Sequence, residues 1–370
     1  MESLFLNYLK FFQQNQLFEF ISLILWNVIS FICISIFFVL IVLFLVLLER
    51  KLLAKFTLRP GPNRVGIFGS LQTLADAVKV LFKEDIVQDS CDKVMFVLAP
   101  IIVLSPILLL YALIPYNGIL IAIDSQVGVL LFLAILAIPI LGEFMAGYAS
   151  NNKYALIASF RAIAQLISYE VPLILSALSI VILSSTMNLN DIILSQSSGF
   201  TMINWYIFPA FLGFIIFFIS ALAQMNRTPF DLSEAESELI GGFHTEYSGI
   251  KFAVFFLAQY ALIFLMSMFI SILFLGGYLP PFDFYITEHL NLSFLFTNIF
   301  IYFEQSFWLF LKSIFIVFII FWIRATLPRF KFSDLMKFSW FILIPLAILN
   351  FFIVSIIKYF NLLGLSSGGN

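Results

Sequence analysis

Long uncharged apolar runs alternate along this chain with short loops that carry most of its charge. The first run, residues 21–48, has no charged residue and, at about 1.5 Å per residue, exceeds the ~30 Å hydrocarbon core of a bilayer. It is too long for a signal-peptide core. Lys312 interrupts the seventh run, which is therefore the weakest. The pattern predicts eight membrane helices, at residues 21–48, 94–114, 127–148, 161–183, 207–223, 253–275, 307–323 and 338–357.

The basic residues predict the orientation of these helices. Sixteen of the nineteen Lys and Arg residues lie in the loops after helices one, three, five and seven, or at the adjoining helix ends. Only Lys10, Lys312 and Lys358 lie elsewhere. By the positive-inside rule the basic loops face the cytoplasm or the mitochondrial matrix, and both termini face the periplasm or intermembrane space. The inner loops are residues 49–93, 149–160, 224–252 and 324–337.

Composition places the chain among integral membrane proteins. Its 370 residues are 62% hydrophobic and only 11% charged, and we expect a single all-α polytopic membrane domain over residues 1–370. The net charge of −2 carries no information about a nucleic-acid partner, and none is expected. Two cysteines and two histidines have no metal-ligand spacing, and no glycine-rich phosphate loop is present. We therefore expect no metal, haem or nucleotide site on this chain.

Two shorter segments carry a weaker signal. Residues 69–83 place Leu71, Leu74, Val78 and Leu81 at steps of three and four, which predicts an amphipathic helix in the inner membrane interface or on a partner. On the outer side, the apolar stretch 293–303 is too short to span a bilayer. It predicts a separate interfacial segment.

Two carboxylates lie inside predicted membrane helices. Glu170 is nine residues beyond Arg161, which would place it roughly 13 Å deep if Arg161 marks the membrane face. Glu143, on the preceding helix, would lie about 8 Å deep. An ionised group at such depth costs on the order of 3 kcal/mol unless it is paired or hydrated. The two could form a proton-handling pair, or each could be a structural carboxylate bonded to a neighbouring helix.

An apolar loop gathers five further acids, in the segment TPFDLSEAESELIGGFHTEYSG, residues 228–249. Either the loop is a solvated acidic turn, or its carboxylates line a hydrated cavity and exchange protons. The interleaved aromatic and aliphatic residues favour burial against a partner. The five acids are Asp231, Glu234, Glu236, Glu238 and Glu246. Two basic inner segments, residues 48–69 and 322–340, could by themselves be topology charge beside a turn.

Together these segments resemble the quinone-site membrane subunit of NADH:quinone oxidoreductase, respiratory complex I, known as subunit 1 in mitochondria and as the H subunit in bacteria. The resemblance covers the chain from the first helix onward. Its motifs follow in order as ERK, GPNRVG, LADAVKVLFKED, NNKYAL, RAIAQLISYEVP, NRTPFDLSEAESELIGGFHTEYSG and RATLPRF. It implies a helical bundle akin to half of an antiporter, and a subunit that is not catalytic alone.

The resemblance also implies roles for particular residues. Around a quinone chamber it places Glu49, Arg50, Arg59, Asp76, Arg227 and Arg324. To a proton-linked acidic set it assigns Glu170, Asp231, Glu234, Glu236, Glu238 and Glu246. Ubiquinone or a similar quinone would be the substrate, while NADH, FMN and iron–sulfur clusters would belong to partner subunits. The partners implied are the quinone-site subunits of the hydrophilic arm, small membrane-arm subunits and lipids, in a bacterial plasma membrane or a mitochondrial inner membrane.

The chain departs from the family pattern at three positions. Gln224 stands where the family usually has a glutamate, so one member of the acidic set cannot titrate. We hypothesise that Glu143, which the resemblance does not assign, replaces that charge from a neighbouring helix. Asp334 is shifted by one position in KFSDLM and receives no role.

Two other functions fit part of the pattern. A related membrane anchor of a hydrogenase, or of a ferredoxin- or F420-dependent enzyme, would share the fold, but the TPFDL and EAESEL motifs favour a quinone enzyme. A stand-alone ion antiporter would explain the buried carboxylates, but the chain shows no paired inverted repeat.

Overall fold

Each apolar run forms a helix, because a backbone inside a bilayer must satisfy its hydrogen bonds within its own segment. The computed structural model describes residues 16–118, 120–197, 204–232, 240–281 and 294–359, and in these ranges it contains helices and no strands. The α-helices are α1 Gln16–Phe56, α2 Gln72–Leu81, α3 Lys93–Leu113, α4 Gly128–Leu136, α5 Ile138–Ala149, α6 Lys153–Ser184, α7 Leu189–Ser195, α8 Phe211–Gln224, α9 Gly249–Phe274, α10 Phe294–Thr326, α11 Phe332–Phe338 and α12 Ile344–Tyr359.

Helices occur at all eight predicted membrane positions. α4 continues almost directly into α5, and a π-helical turn, Ser339–Leu343, joins α11 to α12. Within the described residues, six stretches are long and apolar enough to cross a membrane, and α8 is a shorter apolar helix. The all-α polytopic prediction is confirmed. The six stretches are Lys93–Leu113, Gly128–Ala149, Lys153–Ser184, Gly249–Phe274, Phe300–Thr326 and Phe332–Tyr359.

The loops meet at two ends of the bundle. At the end that we call the basic end, the loops after α1, α5, α8 and α10 contact one another, for example through Asp92 N–H and Ala149 O at 3.2 Å. At the opposite end, Asn188 Nδ2 donates to Asp124 Oδ1 at 2.8 Å. The basic loops therefore share one end, as the charge pattern predicts. The compartment that each end faces stays a prediction.

The packing centres on α9. In this helix 72% of the most apolar window is buried, whereas the corresponding value for Phe332–Tyr359 is only 22%. α9 packs against α3, α10 and α1, so its side chains meet the first and last thirds of the chain. It thereby carries residues into the centre of the basic end.

Two peripheral predictions have different outcomes. The amphipathic helix is present as α2, after a 3₁₀ turn at Ile67–Gly69, and its apolar residues Leu71, Leu74, Val78 and Leu81 are exposed. The separate interfacial segment at 293–303 is wrong, because the helix α10 begins at Phe294 and continues through that stretch. A single long helix satisfies all of its internal backbone groups, which a break at residue 303 would not.

Candidate functional site

A buried carboxylate lies between two arginines at the basic end. Glu49, near the end of α1, is only 3% exposed. Arg324 on α10 donates a hydrogen bond to Glu49 Oε1, and Arg227 Nη1 lies 3.8 Å from the same oxygen. Three segments of the sequence converge at this point. We call Glu49, Arg227 and Arg324 the charge cluster.

The charge cluster contacts α9, and two of its buried polar atoms have no hydrogen-bond partner among the described residues. The Arg227 guanidinium lies 4.4 Å from the centre of the Tyr260 ring, a cation–π contact. Glu49 Oε2 and Arg227 Nη2 are buried, and neither has a hydrogen-bond partner among the described residues. Buried polar atoms are normally satisfied, so these two indicate a place for water or a polar ligand group.

A second ion pair borders the charge cluster on the more exposed side. Arg50 pairs with Asp76 of α2, and Gln72 Nε2 donates to the other Asp76 oxygen at 3.1 Å. Arg50 and Arg59 also line a cleft of about 280 Å³, together with the turn of residues 60–62. Of the six predicted chamber residues, the structure thus brings three into one cluster and places the other three beside this cleft and its ion pair.

Glu143 on α5 is bound by the segment that follows α8. It is 8% exposed, and Asn226 Nδ2 donates to both of its carboxylate oxygens at 3.3 Å. Gln165 on α6 donates to Asn226 Oδ1 at 3.2 Å and to the carbonyls of Ala223 and Phe230 at 2.9 and 2.7 Å. Asn226 is two residues from Gln224, so Glu143 contacts the segment in which the family resemblance predicts a glutamate.

Glu143 and Glu170 lie farther apart along the helix axes than the sequence-based depths of about 8 and 13 Å imply. α6 begins at Lys153, well before Arg161, and the Phe144 ring packs on Phe160 at 5.5 Å. Glu143 is therefore level with residues near 161, and half-buried Glu170 lies roughly 13 Å farther along the axis. The two carboxylates are not an adjacent pair on the two helices.

Asp231, the first acid of the loop 228–249, lies beside a basic residue and a histidine. Arg329 Nη2 is 3.0 Å from Asp231 Oδ2. Burial lowers the pKa of His244 to about 4, although the negative charge of Asp231 acts in the opposite direction. His244 is thus neutral at physiological pH. Outside the described residues lie Glu234, Glu236 and Glu238.

Glu246 joins three segments at the basic end. It accepts hydrogen bonds from Gln88, in the segment after α2, and from Asn152 Nδ2 at 2.6 Å. Asn152 is also the N-cap of α6, since its Oδ1 accepts from Tyr154 N at 3.0 Å. The sequence around Glu246 gives no indication of these contacts with Gln88 and Asn152. The structure therefore gives Glu246 a bridging position.

Sequence reasoning missed Tyr260, Asn226 and Gln165, which contact the predicted charged residues directly or through one another. The signal that could have found them was an uncharged polar side chain inside or next to an apolar helix. Such residues are retained there chiefly when they find a hydrogen-bond partner. Gln165, within RAIAQLISYEVP, meets that description best because it is fully buried.

Comparison with known proteins supplies the family. A family model described as NADH dehydrogenase matches residues 29–355. The chain belongs to the NADH dehydrogenase family.

Relatives of this NADH dehydrogenase family member align over nearly its whole length. The H subunit of NADH-quinone oxidoreductase from Brevibacillus brevis is 43% identical over 333 residues, which cover 90% of this chain and 93% of the relative. The proteins of the same name from Dehalococcoides mccartyi strain CBDB1 and Bacillus cytotoxicus are 42% and 44% identical. Those alignments cover 86% and 85% of this chain and 83% and 88% of the relatives.

Proposed function

We propose that this chain is a membrane subunit of NADH-quinone oxidoreductase, respiratory complex I, and that it couples quinone reduction to proton translocation. The observation that carries the proposal is family membership together with the charge cluster at the basic end. The subunit contributes to an oxidoreductase and is not catalytic alone. The names of the relatives favour neither a hydrogenase anchor nor a stand-alone antiporter.

The charge cluster borders the quinone chamber in this proposal. A quinone carbonyl is a hydrogen-bond acceptor, and a buried guanidinium with a free N–H is a donor that can orient it. Arg227 Nη2 supplies such a donor, and the Tyr260 ring holds the guanidinium in place. The cleft beside Arg50 and Arg59 would form the exposed margin of the chamber, where a partner subunit completes the wall.

The acidic residues would supply the protons. Reduction of a quinone to a quinol consumes two protons, so a chamber shielded from bulk water needs titratable groups within relay distance. Within the short segment of residues 225–232, Asn226 is hydrogen-bonded to Glu143, and Asp231 is paired with Arg329. Glu170 lies deeper, so water or further residues would connect it to Glu143. Glu234, Glu236, Glu238 and Glu246 complete the proposed set.

In this proposal, other subunits carry the cofactors that deliver electrons to the quinone. Within the described residues, no three His, Cys, Asp or Glu side chains group as metal ligands. By the family resemblance, NADH, FMN and iron–sulfur clusters would belong to hydrophilic-arm subunits docked on the basic end, with small membrane-arm subunits and lipids around the helices. The basic end would face the cytoplasm or matrix, and both termini the opposite side of an energy-transducing membrane.

Gentle detergent extraction followed by identification of the co-purifying chains tests the proposal. We expect flavin and iron–sulfur subunits, and NADH:quinone activity in the same fraction. Co-purification with a nickel-bearing large subunit would instead indicate a hydrogenase. A homo-oligomer with ion-exchange activity would indicate an antiporter.

A further inference from the structure

Lys312 lies inside α10, near the opposite end of the bundle, and is only 7% exposed. Its Nζ donates three hydrogen bonds to backbone carbonyls, those of Leu275, Gly277 and Leu279, at 2.6, 2.9 and 2.7 Å. A lysine nitrogen carries three N–H groups only as the ammonium ion. Each of the three N–H groups of the charged side chain therefore has one carbonyl acceptor.

The chain is shaped to present these carbonyls. Gly276 and Gly277 have φ angles of 70° and 50°, in the left-handed region that favours glycine. A methyl group on Gly276 would lie 2.7 Å from Trp205 Nε1, and one on Gly277 would lie 2.7 Å from Ile193 Cδ1. Both glycines are thus required for the turn as it is packed. We call the carbonyls of Leu275, Gly277 and Leu279 the carbonyl cage.

The surroundings compensate the buried charge without an ion pair to a described carboxylate. The carbonyl cage continues from the C-terminus of α9, where the helix dipole favours a cation. The Trp205 ring centre lies 4.4 Å from Nζ, and a ring face attracts an ammonium ion. Charge-assisted hydrogen bonds are stronger than neutral ones. The charge is therefore well accommodated although the residue interrupts an apolar helix.

The same end of α9 is tied to α10 by a second contact. Ser271 Oγ and Ser313 Oγ lie 3.1 Å apart, directly beside the carbonyl cage. Lys358, the other described lysine at this end, is a useful comparison, because its Nζ donates to one carbonyl, Leu183 O, at 2.7 Å. Lys312 is thus distinguished by binding one helix end and the turn after it simultaneously.

The carbonyl cage and the charge cluster lie on the same two helices. Tyr260 of α9 is fifteen residues from Leu275, and Arg324 of α10 is twelve residues from Lys312, or roughly 22 and 18 Å along the axes. Well-packed helices move as units, so a change of register at one end displaces the other. Tyr260 and Arg324 approach Glu49 and Arg227 from different helices. Their relative position therefore depends on the register of α9 against α10.

We propose that Lys312 is a positioning residue, an internal cation that caps α9 and fixes its register against α10, thereby aligning Tyr260 with Arg227 and Arg324 with Glu49. The effect on the quinone site rests on the proposed function. The binding of an ammonium ion by the carbonyl cage does not depend on that function. A displacement of about 1 Å far from the chemistry can lower a rate by roughly a hundredfold.

The first test compares Lys312→Met with Lys358→Met in the assembled complex. Both changes remove one positive charge at the same end, but only the first empties the carbonyl cage. We expect Lys312→Met to lower kcat/KM for quinone by about tenfold or more, with a raised quinone KM, and Lys358→Met to stay near the wild type. Normal KM and kcat in Lys312→Met, or equal losses in both variants, would overturn the proposal.

Chemical rescue provides a readout that loss of folding alone would not give. In Lys312→Ala, ethylammonium, which has three N–H donors, should restore thermal stability and quinone kinetics, whereas tetramethylammonium, which has none, should not. Rescue by both ions or by neither would overturn the carbonyl cage. If both truncated variants fail to assemble, Lys312→Arg should assemble with lowered kcat/KM, since a planar guanidinium cannot direct three N–H groups to these carbonyls. Wild-type kinetics in Lys312→Arg would then overturn the proposal.

The two proposals fail in different ways. If the wild-type complex does not reduce quinone with NADH, the proposed function fails. The selective stabilisation of Lys312→Ala by ethylammonium, measured by thermal unfolding, would still hold for the carbonyl cage. Active wild-type complex without that selectivity would contradict the carbonyl cage alone.

Discussion

Replacing Glu49 with glutamine keeps the shape of a buried side chain and removes the negative charge between Arg227 and Arg324. At an effective dielectric constant of about 20, the attraction between Glu49 and Arg227 across 3.8 Å is about 4 kcal/mol before desolvation. Arg324 is hydrogen-bonded to the same oxygen, so its attraction is at least comparable. Removing one partner of a buried ion pair typically costs about 3–5 kcal/mol, because the remaining charge stays buried. Glu49→Gln leaves one such charge on Arg227, whose side chain is 10% exposed, and also removes the ion-pair partner of Arg324, whose side chain is 30% exposed.

We expect Glu49→Gln to lower both the thermal stability of the subunit in its complex and the NADH:quinone activity. NADH oxidation by a hydrophilic artificial acceptor, normalised to assembled complex on native gels, measures the electron input separately and should be unchanged. The double variant Glu49→Gln with Arg324→Gln should recover part of the lost stability, since it removes one of the uncompensated cations. That recovery should amount to about 1.5 kcal/mol or more as a coupling energy.

Arg50→Gln is the matched control for the same perturbation. Arg50 and Asp76 form an ion pair whose side chains are 45% and 37% exposed, and such pairs contribute at most about 1 kcal/mol. Its stability should therefore stay close to the wild type. The reasoning is refuted if Glu49→Gln is as stable as Arg50→Gln, or if the effects of Glu49→Gln and Arg324→Gln on stability simply add.

Three further predictions concern the acidic residues and His244. Glu170→Gln should assemble normally but reduce proton-coupled quinone reduction; unchanged activity and pumping stoichiometry would remove Glu170 from the relay. Glu246→Gln replaces one acceptor oxygen with an amide NH2 group, a donor that would face the donor amide of Gln88 or Asn152. The change should cost about 1–3 kcal/mol, seen as faster proteolysis of residues 85–92; an unchanged cleavage rate would contradict the bridging position of Glu246. The pKa of His244 is lowered from 6.5 to about 4, so the unfolded state binds the extra proton as the pH falls through that window. Stability should fall between pH 6.5 and 4, by at most about 3 kcal/mol, and His244→Phe should lose that component of the pH dependence in thermal unfolding.

The helices were largely predictable because length and apolarity dictate them in a bilayer. The run 21–48 had no alternative to a helix, and α1 contains it entirely. Where a helix begins is not encoded in apolarity alone. Because α6 begins at Lys153, eight residues before Arg161, the levels of Glu143 and Glu170 relative to each other were misjudged. For the same reason the start of α10 at Phe294 was not predicted.

The charged site was predictable only in part. Glu49 and Arg324 are 275 positions apart, and no local periodicity connects them; only the family resemblance placed both in one chamber. In the sequence, Lys312 weakened the prediction of the seventh membrane helix, since an isolated charge in an apolar run is costly. Its compensation comes from carbonyls of another helix, which the composition of the segment around Lys312 cannot reveal.

The central claim is that the charge cluster at the basic end borders the quinone site, and photo-crosslinking tests it most directly. A quinone analogue with a photoreactive group on its ring would be bound to the intact complex in native membranes, irradiated, and the labelled residues mapped by mass spectrometry. We predict labelling within residues 49–62, 225–232 or 320–330, suppressed by excess unmodified quinone. Competed labelling confined to other parts of this chain, or to other subunits alone, would contradict the account.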